Sequence, residues 1–317
     1  MFREEELNNN IGTAIKYFRE KYRIPQRKLC KGLCSISTLS RIETGERDAD
    51  ALLLETFLER LGKVPNQFEL ILSDFDYDAY LSRKEIIKRI EDKDIDEAYR
   101  LIDTYDELTE DKVSPHRQFI MVSQAHLNEI KGGKTEITID LLMEAISCTV
   151  PDFNTKKISD YFLSNSEFNI IIDILQKMIS ANMINEAEKV LDQVIDYLFW
   201  HEYMENSKRH FPKVASIGGK FYLEQKKFDK ALKICDKGLE NHKGSYKMEY
   251  LGELLLIKAR VTENNLKAKG EWKDDKKREC LRLFLESFHV LNFCGNGTEA
   301  DEIRKHLEEE YQWEDID

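Results

Sequence analysis

The chain has 317 residues, room for two domains, and its 5 prolines and 14 glycines leave little material for an all-β fold or a disordered linker. Its formal charge of −12 argues against nucleic-acid binding by the chain as a whole, and no uncharged apolar run approaches the ~20 residues that span a membrane. The N-terminal MFREEELNNN lacks the apolar core of a signal peptide, and Cys30, Cys34, Cys148, Cys235, Cys280 and Cys294 have neither disulfide nor zinc spacing; a cytoplasmic, all-α protein with reduced thiols and no cofactor is expected.

The charge is unevenly divided. Residues 1–70 carry 12 basic and 11 acidic side chains, while residues 71–317 carry 36 and 49. Between residues 11 and 41 stand Lys16, Arg19, Lys21, Arg23, Arg27, Lys28, Lys31 and Arg41 against Glu20 alone, the footprint of a nucleic-acid reader. The acidic remainder repels DNA and needs another role.

In chain order, a first helix is predicted from about Asn9 to Tyr22, with Ile11, Ile15 and Phe18 facing inward. Pro25 to Gly45 then reads as helix, tight turn, helix: Leu29 and Leu33 four apart on one, Leu39 and Ile42 three apart on the other. The outward set comprises Ser35, Ser37, Thr38 and Arg41, residue types that reach base edges and phosphates. Gln26, Arg27 and Lys28 stand where a helix start grips a phosphate, and Glu43 and Gly45 close the unit. Leu52, Leu53, Phe57, Leu58 and Leu61 supply a fourth helix, and Phe68, Leu70 and Ile71 a fifth. These place a five-helix DNA-binding domain at 1–72. SDFDYDAY, acidic and poorly periodic, reads as the heart of a linker over 73–82.

From residue 83 to 317 the chain is a run of amphipathic helices with a faint repeat. Ile95-Asp96-Glu97-Ala98, Ile139-Asp140-Leu141-Leu142, Ile184-Asn185-Glu186-Ala187 and Phe228-Asp229-Lys230-Ala231 are spaced by 44, 45 and 44 residues, each suited to open the second helix of a hairpin. Gly219, Tyr222, Phe228 and Ala231 occupy tetratricopeptide-like places, although the period exceeds the ~34 residues of the standard unit. An α-solenoid of hairpins follows, ending in a charged terminal pair.

The lining of such a stack comes from the first helix of each pair. Polar residues on one stripe of those helices are Arg117, Gln124 and Asn128, then Asn169, Asp173 and Gln176, then Lys213, Ser216 and Lys220. Side-chain amides match the donors and acceptors of an extended peptide, and a lysine or arginine can take its carboxylate. The seven histidines form no metal spacing, and His201 belongs to a packed helix end with Phe199, Trp200 and Tyr203. Gly218-Gly219 lies inside a helix and serves close packing, Asn296-Gly297-Thr298 is a turn, and EEEYQWEDID is a solvated end. No nucleophile and base pair stands out, so an enzyme is not expected.

Residues 11–62, with Gln26-x-x-Leu29, the stretch SxLSRIETG and the closing Leu61-Gly62, resemble the Xre-type helix-turn-helix of phage repressors. Where most members carry Gly in the turn between helices two and three, this chain has Cys34 in a turn one residue shorter. With a tetratricopeptide-like remainder, that feature resembles the Rgg/PlcR-type (RNPP) regulators. The resemblance implies a homodimer that binds double-stranded promoter DNA and senses a short secreted signalling peptide, with Asn128 and Asn169 as the asparagines of its groove. Two alternatives stand: a DNA-binding regulator whose repeats are a protein-docking scaffold, and an Xre-type repressor without an effector.

Overall fold

The computed structural model describes residues 11–63, 74–109, 114–202, 204–242 and 248–313. Among the described residues every regular element is a helix, in agreement with the all-α expectation. They form two compact units, divided between Asn206 and Ser207.

The first unit opens with α1 (Ile11–Lys21), α2 (Gln26–Leu29), α3 (Ile36–Glu43) and α4 (Ala51–Arg60). Ile15, Leu29, Leu39, Phe57 and Leu58 recur at helical spacing and close on one core, each with no exposed surface. Burying such a side chain is worth roughly 1.5–3 kcal/mol, so five of them hold together helices too short to persist alone. One detail departs from the sequence expectation. Leu33 joins the core but is not on a helix with Leu29, because α2 ends at Leu29 and Gly32 adopts φ +75°. The glycine expected of such a turn is therefore present, two residues before Cys34. The expected fifth helix around Phe68, Leu70 and Ile71 lies outside the described residues.

Hairpins follow: α5 (Asp74–Glu91) with α6 (Ile95–Leu108), α7 (Pro115–Ile130) with α8 (Thr135–Thr149), and α9 (Asn165–Ser180) with α10 (Ile184–Trp200). Residues 74–82, read from sequence as linker, are instead the first half of α5. Phe75, Ala79, Ile86 and Ile90 make a helical stripe into the core shared with α6 and α7, and Asp76 Oδ1 accepts from the Ala51 amide at 2.9 Å, tying α5 to the start of α4.

The second unit contains all but the first two residues of α11 (Glu205–Glu224), then α12 (Phe228–His242), α13 (Leu251–Ala268), α14 (Asp274–Phe293) and α15 (Gly297–Tyr311). Gly219 and Gly238 allow close approach: a Cβ on Gly219 would lie 2.7 Å from Cys235 Sγ, and one on Gly238 2.6 Å from Ala215 Cβ. Tyr311 and Trp313 pack against the core of α13–α15, so the C-terminal segment is less solvated than its charge suggested.

The repeat has a physical basis. Ile95, Ile184 and Phe228 are the first residues of α6, α10 and α12, and Ile139 lies one turn into α8. Ala98, Leu142, Ala187 and Ala231, three residues further on, are fully buried. Before each of these helices a residue takes the left-handed conformation that turns the chain: Lys93, Gly132, Asn182 and Lys226.

Candidate functional site

Ser35 caps α3: its Oγ accepts from the Thr38 amide at 3.0 Å and lies 2.9 Å from Thr38 Oγ1. The cap satisfies an amide that would otherwise be unpaired and fixes where the helix begins. Leu39 and Ile42 anchor α3 from below, leaving Ser35, Ile36, Ser37 and Arg41 exposed and Thr38 half-buried at its edge. Ile36, 51% exposed, was not among the sequence candidates; it is an apolar side chain held in water at the start of a polar face. Its position after a capping serine was the signal that could have found it.

α2 behaves differently. Arg27 and Lys28 are exposed, but Gln26 is half-buried and its Nε2 donates to Glu43 Oε2 at 2.8 Å. Glu43 also accepts from Arg19 Nε at 2.6 Å and Nη2 at 2.9 Å, and this hydrogen bond raises the Arg19 guanidinium above its ordinary range. Arg19, counted with the basic face, is thus an internal strut between α1 and α3. Glu43 is a buried hub. Burial also raises the Cys30 thiol and pushes Cys34 up to about 11, so both stay protonated at neutral pH.

A second arrangement joins this cluster to the repeats of the same unit. Arg60, at the end of α4, is buried; its Nη2 donates to Glu167 Oε1 at 2.5 Å and to the Thr149 carbonyl at 2.9 Å, and its Nη1 donates to the carbonyls of Leu29 and Lys31. Burial pushes the Glu167 carboxyl up, but the Arg60 charge and hydrogen bonds outweigh it and hold the group below the usual carboxylate range. Gly32 presses on the same place: a Cβ there would lie 1.9 Å from the Thr149 carbonyl oxygen. Beside it, Glu59 accepts from the Asn165 amide and from Asn165 Nδ2, both at 2.9 Å. None of Arg60, Glu167, Gly32 or Glu59 was singled out in the sequence, because each draws its role from a partner far along the chain.

The expected peptide-lining residues fall on the helices assigned to them, but several are engaged. On α7, Arg117 is exposed and pairs with Asp106 at 3.4 Å, Gln124 is half-buried, and Asn128 Nδ2 donates to Thr138 Oγ1 at 2.9 Å across the α7–α8 turn. On α9, Asn169 is half-buried, Gln176 is exposed and Asp173 lies 3.6 Å from His126 of α7. The α9 stripe therefore meets α7 on a face other than the one that carries Arg117, Gln124 and Asn128, since His126 lies about half a turn from that stripe, and Lys177 and Glu129 add a second link there. In the second unit Lys213 is half-buried on α11; Ser216 Oγ donates to Glu253 Oε2 at 2.6 Å and Lys220 Nζ does so at 3.0 Å. His201 is buried, its Nδ1–H donating to the Tyr197 carbonyl at 2.9 Å and its ring stacked on the Tyr197 ring, as expected of a packed helix end. Phe199 and Trp200 beside it are exposed, at 43% and 74%, and Tyr203 lies outside the described residues.

The class these features define is an all-helical chain of tetratricopeptide-like hairpins preceded by a compact four-helix cluster with a capped, outward-facing third helix. No protein-family model matches the chain, and no curated protein does. Among solved structures it is similar to PlcR of Bacillus thuringiensis in complex with the peptide PapR7 and DNA: TM-score 0.54 and 16% identity, over 93% of this chain and 99% of that one. The apo form of PlcR gives a TM-score of 0.55 and 15% identity, over 94% and 98%. The pheromone receptor Rgg2 of Streptococcus dysgalactiae aligns over 95% and 99% at 13% identity, with a TM-score of 0.49. The chain thus shares the PlcR fold across nearly its whole length, in keeping with the Rgg/PlcR-type resemblance carried by Cys34 and the tetratricopeptide-like remainder. None of the described helices is long and apolar enough to cross a membrane.

Proposed function

We propose that this chain is a cytoplasmic, sequence-specific transcription regulator, with residues 1–72 as a helix-turn-helix head and residues 83–317 as a repeat domain that senses a short linear peptide. The observation that carries the DNA half is α3 itself: a helix capped by Ser35, seated on Leu39 and Ile42, whose exposed face offers Ile36, Ser37 and Arg41 to the major groove. Arg27 and Lys28 flank it and take phosphates, which position the head without reading sequence. One such helix spans few base pairs, so two heads on half-sites ~34 Å apart or a multiple are required, and the working form is a homodimer. The peptide half draws support from the fold shared with PlcR, a protein solved with the peptide PapR7 and DNA.

The deciding experiment selects bound duplexes from a random library and compares the wild type with Arg41→Ala. Losing an arginine at a base edge or phosphate costs roughly 1–3 kcal/mol of operator affinity and relaxes the preference at its position. A wild type that selects nothing at low ionic strength refutes the reading.

A docking scaffold without a small ligand is favoured by one observation: Asn128, Ser216 and Lys220 already spend polar atoms on Thr138 and Glu253. The readings part in a thermal-shift assay against pools of short peptides. A peptide at ~100 times its dissociation constant adds ~2.7 kcal/mol of stability, whereas a scaffold is unmoved by every pool.

A further inference from the structure

The connection between α8 and α9 differs from its counterparts. The other connections between hairpins, α6 to α7, α10 to α11 and α12 to α13, take six, four and eight residues, whereas residues 150–164 span fifteen before α9 begins. Long ordered loops are commonly functional.

This one is ordered by its own contacts and by packing on α10, where the Leu163 amide donates to Tyr197 Oη at 3.3 Å. Ile158 and Leu163 are buried, Tyr161 Oη donates to the Asp152 carbonyl at 2.5 Å, Phe153 lies against the Tyr161 ring at 5.8 Å, and the amide of Lys156 donates to Asn154 Oδ1 at 2.9 Å. The result is a fixed scaffold from which Lys156 and Lys157 project, both exposed and neither paired with a carboxylate among the described residues.

The loop is also seated on α2 and the turn that follows it. Lys31 pairs with Asp152, the Lys28 ammonium lies 5.8 Å from the Phe162 ring centroid, and Gly32 packs on Pro151. Lys28, Lys31 and Lys157 line one cleft. Since Lys31 neutralises Asp152, the patch presents Lys28, Lys156 and Lys157 against Asp160. It is a cationic extension of the head, built by a region of the chain in which acidic side chains outnumber basic ones by 49 to 36.

We propose that the 150–164 loop is a second DNA contact, with Lys156 and Lys157 holding backbone phosphates of the duplex flanking the bases that α3 reads. This rests on the proposed DNA-binding function. Such contacts add affinity and salt dependence but no sequence preference, because every duplex offers the same phosphates.

The test uses full-length protein, a Lys156→Ala/Lys157→Ala variant, and two fluorescent duplexes carrying a site selected by the wild type: one trimmed to the selected bases and one extended by ten base pairs on each side. On the extended duplex the variant binds about tenfold more weakly near 0.1 M salt, and its slope of log affinity against log salt is shallower by roughly 2 units, about 0.9 for each phosphate that a lysine no longer neutralises. On the trimmed duplex the two proteins bind alike, and both select the same bases and unfold at the same temperature. Equal affinity and slope on the extended duplex, or tighter binding by the variant, overturns the role of the loop while leaving the function of α3 standing. A wild type that binds neither duplex overturns the function itself.

Discussion

At the scale of single residues, the buried Arg60–Glu167 pair separates a structural cation from the basic surface around it. Both side chains are almost without exposure, and the Arg60 guanidinium also satisfies the carbonyls at the end of α2, in the turn after it and at the end of α8. Removing one partner of such a pair strands the other charge, so Arg60→Ala should cost roughly 3–5 kcal/mol in urea unfolding. The sign with pH follows from Glu167. Its carboxyl is lowered in the folded protein, so its contribution is present above the unfolded value and is lost as pH falls through the folded one. The deficit of the variant should therefore shrink on acidification; a deficit independent of pH would mean that lost packing, not the ion pair, accounts for it. Arginine content made a basic head legible in the sequence, but it did not distinguish Arg41, exposed on α3, from Arg19 and Arg60, both turned inward to carboxylates.

Two helix starts are set by local chemistry that the sequence analysis did not use. Ser35 and Ser164 each cap a helix with a side-chain oxygen, and Ser164 with Glu167 completes a capping box at the start of α9. Ser164→Ala should cost ~1 kcal/mol by equilibrium unfolding, the usual worth of an N-cap. Because Glu167 serves both the cap and Arg60, the double variant with Arg60→Ala should depart from additivity; two strictly additive losses would show that the carboxylate does not couple them. The 44-residue repeat was visible because its signals are local. A hairpin needs a left-handed turn, an opening apolar residue and a small or apolar contact three residues on, all within a few positions. The misreadings at this scale were α5 and α2. SDFDYDAY has too few apolar residues to announce the helix that Phe75 and Ala79 anchor, and Leu29 and Leu33 share a helical spacing although Gly32 breaks the helix between them.

For the molecule as a whole, stability should depend on pH in the neutral range through Glu59. Burial pushes its carboxyl up to about 7, against the two hydrogen bonds from Asn165 that favour the charged form, with Glu55 and Glu167 adding to the rise. A carboxyl raised in the folded state gives stability that is complete below its unfolded value near 4.3 and is lost as pH climbs through about 7. Thermal unfolding should therefore occur at a lower temperature at pH 8 than at pH 5.5, by an amount on the order of 2 kcal/mol, and Glu59→Gln should flatten that dependence. An unchanged slope in the variant would assign the effect to other groups.

The sequence by itself determined the properties that repeat along a helix or add along a chain: the all-helical class, the outward polar face of α3, the hairpin period, and the division of charge between a basic head and an acidic remainder. Only the tertiary structure decided which polar side chains are already occupied. Gln26 and Arg19 are bound to Glu43, Asn128 to Thr138, and Arg60 to Glu167, a residue 107 positions away. Helical periodicity places a side chain on a face, but whether that face meets water, a ligand or a carboxylate depends on how distant helices pack.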